Sequence, residues 1–194
     1  MISTMYETDR LILEPFTRKH LDGPYRSWFH DQEVTRWNSH GLFPYTTAQM
    51  EAFLAAIEAG DMIVLAVMAK TPMDQKSLPF PNWELHIGNV ALQNINWIDR
   101  SAEYAVIIGD RSYWSQGYAT EAAQLLFEHG FKKLGLHRIW SGAAAPNTGM
   151  IMVFEKLGMK REGVLRQNVF LNGQWIDVVI YGILEEEWEE CSKT

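Results

Sequence analysis

With 194 residues the chain has room for one domain with a sizeable core and too little for two comfortable ones. Its 47% hydrophobic and 21% charged content is ordinary for a soluble globular protein, and a net charge of −7 argues against nucleic acid as the main partner. Phosphate backbones need a basic stripe; a neutral or cationic partner is easier to accept.

The lone cysteine, Cys191, can form no internal disulfide, which fits a reducing compartment. The longest apolar run, Met62 to Ala69, is far short of the ~20 residues a membrane helix needs. The N-terminus lacks a basic segment followed by an apolar one. These features predict a cytoplasmic protein with no membrane partner.

In chain order, Arg10 to Phe16 alternates as a first strand after a turn at Asp9. From Lys19 to Trp37, helix-like spacing of Leu21, Tyr25, Trp28 and Phe29 predicts one or two short helices. Thr46 to Ala59 is the clearest early helix: Thr46 and Gln49 fit a capping box, Met50, Phe53, Leu54 and Ile57 make one stripe, and Gly60 ends it. Met62 to Ala69 reads as a buried strand, and Thr71 to Pro81, with three prolines, as a loop. Leu85 to Asn96 and Ala102 to Gly109 read as neighbouring antiparallel strands.

Next comes Asp110 to Ala123, a turn that opens a helix. Ala123, Leu126, Phe127, Gly130, Phe131 and Leu134 fall on one helical face. Gly117 and Ala119 carry almost no side chain where the first helical N–H groups are unpaired and the dipole is positive, a place for a phosphate. His137 to Ala144 is a further strand, and Asn147 opens a helix that stops at Gly158. Val169 to Leu171 and Trp175 to Leu184 flank Asn172-Gly173, a type I′ hairpin signal. Glu185 to Glu190 reads as a solvated helix end.

Two stretches carry a resemblance. Trp-Ser-Gln-Gly-Tyr-Ala-Thr-Glu-Ala at 114–122 resembles the pyrophosphate loop of the GNAT superfamily of acetyl-CoA-dependent N-acetyltransferases, nearest to the ribosomal-protein N-terminal acetyltransferase branch. The run from Asn147 to Leu157-Gly158-Met159 resembles the family's second signature. Similarity extends from Asp9 to about Leu184. It implies one α/β domain over residues 1–194, with a mostly antiparallel twisted sheet flanked by helices. It also implies acetyl-CoA as co-substrate, a small-molecule or peptide amine as acceptor, and a monomer or homodimer.

The same resemblance assigns residues. Trp114, Ser115, Gln116, Gly117, Tyr118, Ala119 and Thr120 would hold the pyrophosphate. The family's usual Gln or Arg is replaced by Trp114, so the loop is expected to work without an extra cation. The backbone of Val106, Ile107 and Ile108 would pair with the pantetheine amides, and Asn147 would bind the cofactor arm. Trp28, Trp37 and Phe43 are either an acceptor-pocket wall or ordinary core.

Glu103, the one acidic residue on its strand, is the candidate general base. Its alternative role is that of a solvated strand-end residue. Many relatives carry a tyrosine acid seven residues after the Asn; here Phe154 takes that place beside the cofactor and has no proton to give. Tyr118, Ser115 and Tyr181 are possible stand-ins. No His-Glu-x-x-His or Cys-x-x-Cys pattern occurs, so no metal is expected. The competing function is a non-catalytic acyl-CoA-binding or sensor domain.

Overall fold

The computed structural model describes residues 4–42, 46–70 and 84–191. Phe43 and the loop expected over Thr71–Pro81 lie outside them. The chain starts with a short strand, β1 (Tyr6–Glu7), paired antiparallel to β2 (Leu11–Pro15) around the turn at Asp9. Two one-turn helices follow, α1 (Arg18–Leu21) and α2 (Tyr25–Trp28), then α3 (Thr47–Ala59). The capping box forms, with Thr46 Oγ1 accepting from the Gln49 N–H at 3.3 Å, and Gly60 ends the helix at φ +86°. Strands β3 (Ile63–Lys70), β4 (Glu84–Asn96) and β5 (Ser101–Ile108) lead to α4 (Tyr118–Glu128), which continues as a π-turn over His129–Lys133. Strand β6 (Arg138–Ala144), helix α5 (Thr148–Lys156), strands β7 (Lys160–Leu171) and β8 (Gln174–Leu184), and helix α6 (Glu185–Cys191) complete the order.

All eight strands join one sheet in the order β1-β2-β3-β4-β5-β6-β8-β7. Every neighbouring pair is antiparallel except β5 and β6. This is the expected mixed α/β architecture. Strand β7 is much longer than Val169–Leu171. Its residues 160–168 are mostly polar, contain Gly163 and are exposed on both faces, Val164 and Leu165 included, so they carry no apolar alternation to read. The hairpin turn is as expected, with Asn172 at φ 52° and Gly173 at φ 79°.

Each face of the sheet buries its own core. On one side, α4 and its π-turn set Ala123, Leu126, Phe127 and Phe131 against Leu13, Val67, Leu92, Tyr104 and Ile139. Trp188 of α6 is 7% exposed and packs on Phe127 and Phe131, so the acidic tail is an anchored helix rather than a free end. On the other side, Phe16, Leu21, Tyr25, Trp28, Met50 and Leu54 cover Ile12, Val64, Ala66 and Met68.

This second core encloses ionisable groups. His20 accepts from the Thr17 N–H at Nδ1 (3.0 Å) and donates from Nε2 to Glu14 Oε1 (2.7 Å), which also receives Lys19 Nζ (2.8 Å). His86 donates from Nε2 to Asn89 Oδ1 at 2.8 Å, while its buried Nδ1 has no partner. Burial, partly opposed by the bond to Asn89, brings the His86 pKa down to about 4. His86 shares a small cavity with Lys19, His20 and Asp110.

Because unfolded histidine titrates near 6.5, the unfolded chain takes up this proton first as pH falls. Stability due to neutral His86 is therefore full above about pH 6.5 and fades toward pH 4, by on the order of 3 kcal/mol. Burial lowers the His20 pKa too, against the pull of Glu14, and adds in the same direction. Glu14, whose burial is outweighed by its bonds from Lys19 and His20, has a lowered pKa and loses its contribution in stronger acid. Urea midpoints are expected to drop between pH 7 and 4.5, and His86→Phe to flatten that drop. An equally steep drop in the variant would place the acid sensitivity elsewhere.

Candidate active site

Strands β5 and β6 pair only through Ser101–Glu103 and Arg138–Trp140, then separate. At the point of separation, Ser141 Oγ donates to the Tyr104 carbonyl at 2.7 Å, a buried tie between the two strands. The Tyr104 carbonyl therefore points toward β6. Strand geometry alternates every two residues, so Val106 and Ile108 direct their main-chain groups to the same open edge, and Ile107 directs its own toward β4. The Ile108 carbonyl is already taken by the Trp114 indole N–H at 2.7 Å. The free set is thus the N–H and C=O of Val106 and the N–H of Ile108. Ile107, expected to offer backbone bonds there, does not, although it lines the cleft.

The gap between the strands is a cleft of about 700 Å³ that reaches from Glu103 to the N-terminus of α4. Trp114, Ser115, Gly117, Tyr118, Ala119 and Thr120 line it, and Gln116 does not. The Gln116 side chain bonds the Ser112 carbonyl, and its own carbonyl accepts from Arg10 Nη1 at 3.0 Å. Ser115 (φ 60°) and Gly117 (φ 85°) are both left-handed, a backbone form found in anion-binding concavities. For serine that form is strained, and such strain collects at functional sites.

The other capped helices make a telling contrast. Thr46 caps α3 and Asn147 caps α5, but Gly117 gives α4 no side-chain cap. The first N–H groups of this eleven-residue helix have no capping side chain and border the cleft. They fit a diphosphate, and the open β5 edge fits an extended amide arm.

Asn147 lines the cleft from the β6 side. Its Oδ1 accepts from the Met150 N–H at 3.2 Å, so it is the helix cap, with Nδ2 left to donate. Phe154 does not line the cleft. It is fully buried against Tyr181, 5.2 Å between ring centroids, because the helical period turns position 154 into the core. Tyr181 is likewise core, whereas Tyr118 and Ser115 sit at the loop end.

Glu103 lines the cleft at its narrow end. It shares a strand face with Ala105 and Ile107, the face covered by α1 to α3, opposite to buried Ala102 and Tyr104. An irregularity in β4 puts Asn94 at φ 50°, and its Nδ2 donates to Glu103 Oε2 at 2.6 Å. The residues after α2 supply the outer wall: Glu33, Val34, Arg36, Trp37 and Asn38. Arg36 lies over the Trp37 ring at 4.9 Å. Of the aromatics weighed for a pocket wall, Trp37 lines the cleft. Trp28 is core, 4% exposed, and packs so closely on Gly109 that a Cβ there would fall 1.9 Å from its ring.

A model of the acetyltransferase (GNAT) domain matches residues 10–160. The chain belongs to the GNAT acetyltransferase family. Among relatives, it is 34% identical to the spermidine N(1)-acetyltransferase of Escherichia coli K12 over 55% of this chain and 57% of that one. It is 32% identical to the putative ribosomal N-acetyltransferase YdaF of Bacillus subtilis, over 53% and 55%. The chain spans about half the length of these curated relatives. The spermidine N-acetyltransferase of Vibrio cholerae, solved with CoA and spermine, superposes with a TM-score of 0.79 at 23% identity, covering 94% of this chain and 99% of that one. This last likeness is one of fold.

Sequence reasoning missed the outer wall of Glu33, Val34, Arg36 and Asn38, the strand tie Ser141, and two residues that hold the site without lining it, Arg10 and Asn94. Arg10 and Ser141 act through contacts distant in sequence, and Asn94 acts across the β4–β5 connection. Among the described residues, no group of His, Cys, Asp or Glu gathers as a metal site, and no helix is long and apolar enough to cross a membrane.

Proposed function

We propose that this chain transfers the acetyl group of acetyl-CoA to a primary amine, with Glu103 as general base. The observation that carries the reading is the splay of β5 from β6. It opens a continuous path from the uncapped N-terminus of α4, past the free Val106 and Ile108 groups, to a carboxylate on the opposite face. Acetyl-CoA supplies an activated thioester. The loop backbone from Ser115 to Thr120, with the Thr120 hydroxyl, would bind its diphosphate, and the Val106 and Ile108 edge its amide arm. The Asn147 amide would donate to that arm.

An alkyl ammonium near its reference pKa of about 10.4 must lose a proton before it attacks. Glu103, held by Asn94 on one oxygen, presents the other to take that proton directly or through water. With Phe154 buried, the protein offers no phenol at that position for the leaving sulfur. A thiolate whose parent acid has a pKa of about 8.5 leaves without one.

Two acceptor classes follow from the relatives. The resemblance of the loop favours the N-terminus of a protein, including a ribosomal one. Glu103 on the cleft wall favours a polyamine or another cationic small amine, whereas Glu33 on the outer wall is paired with Arg36 at 3.7 Å. Thiol release with acetyl-CoA, tested against spermidine, an aminoglycoside and peptides beginning with Ala or Ser, separates them. Turnover with one class is the expected result. CoA binding without thiol release for any amine would replace the enzyme by the acyl-CoA sensor.

A further inference from the structure

The loop that lines the cofactor end of the cleft is held from behind by a residue more than a hundred positions away. We infer that Arg10, at the turn between β1 and β2, is a positioning residue for the phosphate loop, an inference that rests on the acetyl-CoA reading of the cleft. Its guanidinium makes three kinds of contact with the loop and the first turn of α4. Nη1 donates to the Gln116 carbonyl at 3.0 Å, and Nε donates to Glu121 Oε2 at 2.8 Å with Nη2 on the same carboxylate oxygen. The guanidinium carbon lies 4.6 Å from the centre of the Tyr118 ring. A Cβ built on Gly117 would be 3.6 Å from Nη2. Arg10 does not line the cleft, so these contacts are on the far side of the loop from the cofactor path.

The arginine is itself fixed. Its carbonyl accepts from the Lys70 N–H at 2.9 Å, and Thr8 Oγ1 donates to the other Glu121 oxygen at 2.5 Å. Helix stability alone gives no reason for this placement, because a cation at the positive end of a helix is unfavourable. Glu121 offsets that charge, and the Arg10 fork then fixes the direction of the Gln116 carbonyl. Turning this carbonyl away leaves the loop N–H groups, from Gly117 onward, to face the cleft. Trp114 in the position of the family's cation is thus answered from the turn before β2, by an arginine that orients the loop without touching the ligand.

CoA binding by calorimetry, with thermal melting in parallel, tests the inference. Arg10→Ala is expected to weaken CoA about tenfold, the scale of one charge-assisted hydrogen bond, while melting changes little because the guanidinium is half-exposed and Thr8 still donates to Glu121. Arg10→Lys is expected to be nearly as weak, since one ammonium cannot hold the Gln116 carbonyl and Glu121 in a planar fork. KM for acetyl-CoA rises in both, with kcat and its pH profile unchanged. CoA affinity within twofold of wild type in either folded variant would overturn the positioning role, and full recovery by lysine would leave only a charge effect. If Arg10→Ala does not fold, Arg10→Lys alone decides. Failure of the wild-type protein to bind CoA would instead remove the cofactor reading on which the inference stands.

Discussion

Replacing Glu103 by glutamine is expected to lower kcat by about 10²- to 10⁴-fold near neutral pH, with acetyl-CoA affinity close to that of wild type. Glutamine keeps the size of the side chain and keeps an oxygen for the Asn94 amide, which donates to Glu103 at 2.6 Å. It removes only the ability to take a proton. Below the pKa of the amine nearly every acceptor molecule is protonated, so a base matters most there, and the deficit should shrink as pH rises toward ~10. The thiol released per unit time, measured from pH 6 to 10 for both proteins, gives the comparison. Parallel profiles would return Glu103 to a surface residue that Asn94 happens to hold. A large rise in the CoA dissociation constant would instead show that Glu103 shapes the cofactor half of the cleft.

The loop end of the cleft, where we propose the cofactor binds, was the more legible part of the sequence because it is local. Gly117 at the N-terminus of α4, the apolar stripe of that helix and Asn147 before α5 lie within short segments whose period and caps reveal their geometry. The Glu103 end, where we propose the acceptor binds, depends on contacts between separate elements. Whether Trp28 or Trp37 reaches the cleft is decided by Gly109, whose missing side chain admits the ring of Trp28 and draws it into the core. Nothing in the spacing of the two tryptophans carries that information. Phe154 shows the converse error: the motif placed it beside the cofactor, while the helical phase that buries Leu157 turns it inward. The irregularity that puts Asn94 against Glu103 and the turn that puts Arg10 behind Gln116 follow from strand register, which the sequence pattern does not specify to the residue.

Gly117→Val should remove measurable CoA binding, a loss on the order of 10²-fold or more, while the protein remains folded. Two effects act together. At φ +85° a residue with a Cβ is strained by roughly 1–2 kcal/mol, and a β-branched one tolerates the region least, so the backbone is driven to another conformation. The added Cβ would also lie beside Arg10 Nη2, 3.6 Å away, and its two methyl groups would displace the guanidinium that holds the Gln116 carbonyl. Either change rotates the N–H groups that follow. Losing two bonds to a charged diphosphate at about 1.5–3 kcal/mol each is enough for the expected loss. The fold should survive, because a Cβ at 117 meets nothing else within 4 Å and α4 is held by Ala123, Leu126 and Phe127 in the core. Calorimetry on a variant whose melting temperature stays near that of wild type is the measurement. Unchanged CoA affinity in such a protein would mean that the ligand's diphosphate lies elsewhere and that the uncapped end of α4 has another purpose. A loss larger than that of Arg10→Ala is expected, since the valine both strains the loop and dislodges the arginine, whereas the alanine only lets the loop relax.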